Sequence, residues 1–344
     1  MAKINLLTVH WGGSYGGTMQ TYATLRILKE LGHKVTLIDL NHPNQKFFYK
    51  LTHKRSTKFL WIINEVTFAL FRLLHFGKKT RRVFSIEKNI VPESDYTIVG
   101  SDQVWNGDIT GPIQMSYFLN FENNAKKLSF ASSFGKFQWE ENEAITNEVK
   151  SNLKQFSAIS VREESGVRIC KEVFNVDAVQ VLDPTLVYKN YDELLTKQQP
   201  IHQIYPFLLN PSAETNQICQ VVSREIGLQL YNPSRIKGLL SGGPKAWLNR
   251  MKASDFIITD SFHGLAFSLI FHKQFIVLCA NEKKFARLES LLSLVNLSDR
   301  YVKSSKDLLA RIDQLHRSID FDEVDRILAL ERKESIAFLT QNIQ

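Results

Sequence analysis

Apolar segments of two lengths alternate along the chain. Short runs rich in β-branched residues, such as Lys3–Val9 and Val35–Leu40, are separated by longer stretches such as Thr18–Gly32, in which apolar residues recur at helical spacing. Short apolar runs predict buried strands, and helical spacing predicts helices that cover a sheet. Because strands that alternate with helices are typical of parallel sheets, the sequence predicts an α/β fold.

Two interruptions of this alternation predict the domain organisation. Residues 46–90 form a basic, largely helical stretch, and residues 188–203 are polar without any period. A chain of 344 residues suits two domains. We therefore expect an N-terminal Rossmann-like domain over 1–187 with a basic helical insertion at about 46–90, a linker over 188–203, a C-terminal Rossmann-like domain over 204–320 and a C-terminal helix over 321–344.

The positive charge of the chain is local. The net charge is +8, but residues 46–90 hold eleven Lys or Arg and two Glu, so the remaining 32 basic and 33 acidic residues nearly cancel. A charge confined to one segment argues against nucleic-acid binding. Two interpretations of the segment stay open: peripheral contact with an anionic membrane, or a helical insertion packed on the N-terminal domain. Its apolar stretch, Leu60–Phe76, is short and polar for a transmembrane span.

The N-terminus and the cysteines predict a cytoplasmic protein without a metal centre. The first residues read as a strand and lack the apolar run of a signal peptide. The three cysteines are odd in number and form no CxxC pair, which favours neither disulfides nor a zinc site. If the basic segment contacts a membrane, the protein works at its inner face.

Polar clusters follow several predicted strands of the first half. Ligands of open α/β sheets bind at the carboxyl ends of the strands, so these clusters are candidate sites. Gly16 and Gly17 open the first helix, where backbone amides can approach an anion; a tight turn is the alternative. Ser101 and Asp102 follow the strand Tyr96–Gly100 and suit a ligand loop; a helix N-cap is the alternative.

Three further candidates carry charge or can transfer protons. Arg162 directly follows a strand and can clamp phosphate or carboxylate, or it can form a surface salt bridge to Glu163 or Glu164. Ser261 and His263 follow a strand of the second half, and histidine suits proton transfer near neutral pH, although a structural histidine is the alternative. Arg287 is a candidate anion ligand or part of a solvated helix face.

These residues taken together resemble the polysaccharide pyruvyl transferase family. The resemblance is carried by GSDQVWN at 100–106 and DSFHG at 260–264, with GGTMQTYA at 16–23, SVRE at 160–163 and DPT at 183–185. It implies a fold similar to the GT-B glycosyltransferases, with two Rossmann-like domains facing across a cleft. It also implies an enzyme that transfers pyruvate from phosphoenolpyruvate to two hydroxyls of a sugar, forming a cyclic ketal.

The resemblance assigns roles to the candidate residues. Arg162 and His263 are the expected catalytic residues, as donor anion clamp and general acid/base, with no metal and no cofactor beyond phosphoenolpyruvate as donor substrate. The expected donor-binding residues are Gly16, Gly17, Ser101, Asp102, Ser261 and Arg287. The expected acceptor is a sugar or lipid-linked glycan of a cell-surface polysaccharide or its precursor.

One position departs from the family pattern and keeps two alternatives open. Characterised members can carry an arginine where this chain has Ser261, so one anion contact is missing or comes from elsewhere, such as Arg287. The first alternative is a GT-B glycosyltransferase that uses a nucleotide sugar. The second is a non-catalytic relative that binds an anion or a glycan. The oligomeric state stays open.

Overall fold

A computed structural model gives the fold of the protein. It describes residues 1–43, 58–86, 91–121, 124–197, 199–232, 242–279 and 285–344, and for residues 58–63 it describes only the backbone. The chain forms two compact units. Unit 1 contains Met1–Tyr188 and Glu331–Gln344, and unit 2 contains Lys189–Leu330.

Unit 1 is built on a six-stranded parallel sheet with the order β2-β1-β3-β4-β5-β6. The strands are β1 (Lys3–Leu7), β2 (Lys34–Leu37), β3 (Tyr96–Val99), β4 (Lys126–Ser132), β5 (Phe156–Val161) and β6 (Val179–Gln180). The described helices are α1 (Tyr15–Glu30), α2 (Lys58–His75), α3 (Gly107–Thr110), α4 (Glu143–Leu153), α5 (Glu164–Glu172) and α6 (Pro184–Val187). Every residue of β3 is buried, as expected for a strand of a parallel sheet covered on both faces.

Unit 2 repeats this architecture around a five-stranded parallel sheet with the order β11-β10-β9-β7-β8. The strands are β7 (Ile201–Phe207), β8 (Gln229–Leu230), β9 (Ser254–Thr259), β10 (Gln274–Leu278) and β11 (Tyr301–Val302). The described helices are α7 (Ala213–Ile226), α8 (Pro244–Ala253), α9 (Phe262–Ile270), α10 (Ala286–Leu294), α11 (Ser305–Ala310) and α12 (Phe321–Asn342). Parallel strands joined through helices explain the two periods of the sequence.

The junction between the units differs from the predicted linker. Strand β7 begins at Ile201, inside the range 188–203, and Asp192–Leu194 forms a turn of 3-10 helix. Tyr191 packs its ring on Phe267 at a centroid distance of 5.1 Å, so this polar stretch is anchored to unit 2. Unit 2 also continues past residue 320, because the first part of α12 belongs to it and the rest belongs to unit 1.

The predicted basic insertion is described only in part. Residues 46–57 and 87–90 lie outside the described residues. The described part contains α2, and after it the chain runs beside β2 through two parallel bridges, Leu37 with Lys79 and Leu40 with Val83. Helix α2 therefore leads into a segment that borders the edge of the unit 1 sheet.

Candidate functional site

Buried polar residues gather at the carboxyl edge of the unit 1 sheet. Thr8 follows β1, Ser101 lies just after β3, Arg162 follows β5, and Asp183 lies three residues after β6. The hydroxyl of Thr8 donates to the carbonyl of Ser101 at 3.0 Å, and the hydroxyl of Ser101 donates to Asp183 Oδ2 at 2.8 Å. The predicted convergence of strand ends is therefore realised as one hydrogen-bonded cluster.

Arg162 lies at the centre of this cluster among carboxylates. Its Nη1 donates to Asp183 Oδ2 at 2.8 Å, its Nε donates to Glu163 Oε1 at 2.9 Å, and its Nη2 lies 3.8 Å from Asp102 Oδ1. Only 1% of the side chain is exposed. Burial alone would lower the pKa of the guanidinium, but the charges of Glu163, Asp183 and Asp102 outweigh it and hold the pKa above its usual value.

The carboxylate contacts of Arg162 favour a positioning role over the expected role as donor anion clamp. The alternative of a salt bridge to Glu163 is realised, but the pair is buried rather than on the surface. A guanidinium already bound by carboxylates fixes the strand ends that carry them. We interpret Arg162 as a positioning residue on this evidence, and its direct contact with a donor anion stays a prediction.

The loop after β3 turns sharply, and Gly100 permits the turn. Gly100 has a φ of 119°, and a Cβ at this position would lie 2.2 Å from the carbonyl oxygen of Phe130. Asp102 follows with a φ of 71°. Neither Ser101 nor Asp102 caps a helix, because α3 is capped by Asn106, whose side chain accepts from Asp108 N at 3.1 Å. The N-cap alternative for these two residues is thus wrong.

Gly16 and Gly17 lie in the first turn of α1. The N-cap of this helix is Ser14, whose hydroxyl accepts from Gly17 N at 3.1 Å. A Cβ on Gly17 would lie 3.1 Å from the carbonyl of Val9, so the helix approaches the end of β1 closely. The side chain of Gln20 adds a hydrogen bond to that carbonyl at 3.0 Å. Tight packing accounts for Gly17, and anion binding by this turn stays a prediction.

A second charged cluster, centred on Asp39, was missed by sequence reasoning. His10 Nε2 lies 3.1 Å from Asp39 Oδ1, and its Nδ1 lies 2.9 Å from the carbonyl of Thr8. Lys79 and Arg82 also approach Asp39, at 3.3 and 3.5 Å. Burial alone would raise the pKa of Asp39, but the hydrogen bond from His10 and the charges of Arg82 and Lys79 bring it well below its usual range. These cations reach Asp39 because the chain segment after α2 runs beside β2, a tertiary contact that no local sequence pattern indicates.

In unit 2 the DSFHG segment forms the turn from β9 into α9. Ser261 is the N-cap of α9, and its hydroxyl accepts from Gly264 N at 3.4 Å. His263 lies in the first helical turn, is 5% exposed, and packs its ring edge-on against Phe262 at 5.3 Å. A Cβ on Gly264 would lie 2.1 Å from the hydroxyl of Thr259, so the close contact of helix and strand requires glycine here.

Asp260, the first residue of the DSFHG segment, connects this turn to the end of strand β7. Its carboxylate accepts from the backbone amides of Leu209 and Asn210 at 2.6 and 2.8 Å, which ties the end of β7 to the end of β9. Ser261, at the position where family members can carry arginine, satisfies a helix amide that an arginine side chain could not cap. Compared with members that carry the arginine, this chain therefore lacks a cation at this position and has a helix N-cap there instead.

The structure divides the predicted site residues between the units. Arg162, Ser101 and Asp102 lie together in unit 1, with Gly16 and Gly17 at a neighbouring strand end. Ser261 and His263 lie together in unit 2, which also holds Arg287, half-buried as the second residue of α10. Residues 280–284, which precede α10, are outside the described part of the chain. Within the described part, no group of three or more His, Cys, Asp or Glu side chains is placed to hold a metal ion.

Solved structures similar to this chain define the class of fold. Arabidopsis thaliana UGT89C1 in complex with UDP-L-rhamnose matches with a TM-score of 0.54 at 10% identity, over 100% of this chain and 99% of that chain. A functionally uncharacterised protein from Klebsiella pneumoniae subsp. pneumoniae matches with a TM-score of 0.52 at 11% identity, over 88% of this chain and 93% of that chain. The two Rossmann-like units thus have the α/β fold of the GT-B glycosyltransferases.

The family follows from the sequence. The profile of the family described as polysaccharide pyruvyl transferase matches residues 15–279, from the first residue of α1 to the residue after β10. The chain therefore belongs to the polysaccharide pyruvyl transferase family, as its motifs predicted. Comparison with curated proteins finds no significant match.

Proposed function

We propose that the protein transfers pyruvate from phosphoenolpyruvate to two hydroxyls of a sugar and forms a cyclic ketal. The observation that carries the proposal is the extent of the family match. It spans both strand-end clusters, the one around Arg162 in unit 1 and the one around His263 in unit 2. A fold shared with glycosyltransferases supports a sugar as the acceptor.

The proposed reaction balances in two steps. Protonation of the methylene carbon of phosphoenolpyruvate creates an oxocarbenium-like carbon, and the first sugar hydroxyl adds to it and loses its proton. The second hydroxyl then displaces phosphate from the same carbon, and its proton leaves with the phosphate. Each ketal releases one phosphate, and neither step needs an oxidant or a reductant. General acid/base groups and fixed hydrogen-bond donors are the catalytic devices that such a reaction uses.

The proposal assigns proton transfer, positioning of loops and anion binding to different residues of the chain. In the proposal, His263 moves the proton, because it is the titratable side chain in the first turn of α9. Arg162 holds Asp102, Glu163 and Asp183 and thereby the loops at three strand ends. The proposal keeps two candidate anion ligands, the amides of the first turn of α1 in unit 1 and Arg287 in unit 2.

The acceptor in this proposal is a sugar or lipid-linked glycan that becomes part of a cell-surface polysaccharide. Such precursors are built on lipid carriers, so we place the enzyme in the cytoplasm at the inner face of the membrane.

A phosphate-release assay tests the proposal. The protein is incubated with phosphoenolpyruvate and a panel of galactosyl, glucosyl, mannosyl and N-acetylhexosaminyl acceptors, and products are identified by mass spectrometry. We expect phosphate release only with an acceptor, matched by a ketal product, and its loss in His263→Gln. Sugar transfer from a nucleotide sugar without any response to phosphoenolpyruvate would establish a glycosyltransferase. Saturable phosphoenolpyruvate binding without turnover on any acceptor would establish a binding protein.

A further inference from the structure

Helix α2 has an exposed apolar face. Five apolar residues lie on one side of this helix, because four of them follow Val66 at intervals of three, four, seven and eight residues. They are Val66, Ala69, Leu70, Leu73 and Leu74. The four larger side chains are 53–72% exposed. Of the eleven exposed large apolar side chains among the described residues, these four belong to one helix, so they form a patch rather than scattered exposures.

The opposite face of α2 packs on unit 1. Phe68 and Phe71 are buried, and Phe71 contacts Tyr22 of α1 at a ring distance of 6.0 Å. The sequence left open whether the apolar residues of this helix face the protein or a partner. The structure shows that the aromatic residues face the protein and that the aliphatic ones lie on the other side.

Cations border this helix at its C-terminal end. Lys78 and Arg81 follow within six residues of His75. Three further cations of this stretch have partners inside unit 1: Arg72 donates to the carbonyl of Gly12, and Lys79 and Arg82 approach Asp39. Glu65 is the one acidic residue between 58 and 86. An exposed aliphatic face with cations beside it is the pattern of a helix that lies in the surface of an anionic bilayer. No helix in the described ranges is long and apolar enough to cross a bilayer.

A basic cavity continues this positive surface. It has a volume of about 440 Å³, and its lining includes four lysines, Lys3, Lys29, Lys34 and Lys78, and one acidic residue, Glu93. Lys78 belongs both to this cavity and to the segment that follows α2. Lys29 lies beside the same segment, because a Cβ on Gly77 would be 2.9 Å from its Nζ. Lipid phosphates would complement the four lysines.

The inner face of α2 also contacts the glycine-rich loop that precedes α1. Three side chains of α2 make this contact. Asn64 lies close to Gly13, since a Cβ on that glycine would be 2.7 Å from Asn64 Nδ2. Phe68 packs on Tyr15 at a ring distance of 5.1 Å, and Arg72 Nη1 donates to the carbonyl of Gly12 at 2.9 Å. These three side chains are spaced by four residues along the helix. The helix that exposes the aliphatic face therefore also supports a loop of the candidate site.

We propose that the aliphatic face of α2, with the cations at its end, docks the protein on an anionic lipid bilayer and holds the glycine-rich loop of unit 1 at the membrane surface. The docking itself does not depend on the identity of the donor or the acceptor. Lipid-linked acceptors would be met at the surface where they reside, while soluble acceptors would not benefit from docking.

Co-sedimentation with vesicles tests the docking. Vesicles of phosphatidylglycerol and phosphatidylcholine are compared with vesicles of phosphatidylcholine alone, at low and high salt. We expect binding to the anionic vesicles only, and a loss of roughly tenfold or more in Leu70→Gln/Leu73→Gln/Leu74→Gln. The matched control is Leu309→Gln/Leu330→Gln, which changes two leucines that are each 56% exposed on unit 2 and should bind as the wild type does.

A charge variant tests the second element separately. Lys78→Gln/Arg81→Gln leaves the partners of Asp39 in place, and we expect roughly tenfold weaker binding at low salt, with little difference at high salt. Lys252→Gln/Lys306→Gln, on unit 2, is the matched control. Absence of wild-type binding to anionic vesicles, or unchanged binding of the leucine variant, would overturn the proposal. A wild-type dimer that the leucine variant converts to a monomer would assign the face to a second copy of the chain and also overturn it.

Discussion

The buried cluster around Arg162 allows a quantitative prediction about stability. Replacement of Arg162 by methionine removes a guanidinium that is 1% exposed and leaves Asp183 and Glu163, which are 0% and 2% exposed, without their cation. Breaking a buried ion pair by removing one partner costs about 3–5 kcal/mol. Unit 1 is large enough that each kcal/mol shifts a melting temperature by about 2–4 °C, so we expect a decrease of about 6–20 °C.

Intrinsic fluorescence is a suitable probe for this unfolding. Four of the five tryptophans, at positions 11, 61, 105 and 139, belong to unit 1. The wild type, Arg162→Met, Asp183→Asn and the double variant form a double-mutant cycle. The double variant should be more stable than the sum of the two single losses predicts, by about 1–3 kcal/mol, because residue 183 then carries no charge that lacks its partner. Arg168→Met on the exposed side of α5 is the control and should change stability by less than about 0.5 kcal/mol.

Two results would refute this reasoning. A near-normal melting temperature of Arg162→Met would show that the carboxylates do not depend on the guanidinium. Strict additivity in the cycle would show that Arg162 and Asp183 act independently despite their 2.8 Å contact. In either case Arg162 would return to the role of a donor ligand, which predicts a loss of turnover without a loss of stability.

Four further predictions concern other parts of the chain. Asp39→Asn should lower the free energy of unfolding at pH 7. The pKa of Asp39 is depressed in the folded state, so the carboxylate stabilises the fold above its unfolded pKa of about 4, and this stabilisation is lost as the pH falls below that value. Urea titrations of the variant and the wild type should therefore converge in acid. Ser261→Arg should lower the KM for phosphoenolpyruvate by adding a cation and lower the stability by about 1 kcal/mol by removing the helix cap; unchanged kinetics would argue against donor contact at this position. His263→Gln should reduce turnover by roughly a hundredfold with a native melting curve, and normal turnover would remove this residue from the proposed reaction. Burial raises the pKa of Cys170 to about 12 and that of Cys219 to about 11, so neither thiol should react with a chromogenic disulfide at pH 8 until the protein is denatured, and rapid labelling would contradict their burial.

The sequence alone determined the class of fold and the family, for local reasons. Apolar periodicity is a property of neighbouring residues, and it predicts strands at Lys3–Val9 and Val35–Leu40. The structure confirms both strands, as β1 and β2, with ends that differ by one to three residues. Short strings such as DSFHG identify the family because they combine a strand end, a helix cap and a close glycine contact in five consecutive residues.

Only the tertiary structure decided what those residues contact. Arg162 is followed by glutamates in sequence, but its contacts with Asp183 and Asp102 require three strand ends to meet, and these partners are 21 and 60 positions away. The contacts of Asp39 with Lys79 and Arg82 also depend on the tertiary structure, because the segment after α2 returns to the edge of the sheet beside β2. The two faces of α2 are both apolar, so periodicity could not tell which one is buried; the packing of Phe68 and Phe71 on unit 1 settles it, since a helix can bury only the side that meets the protein.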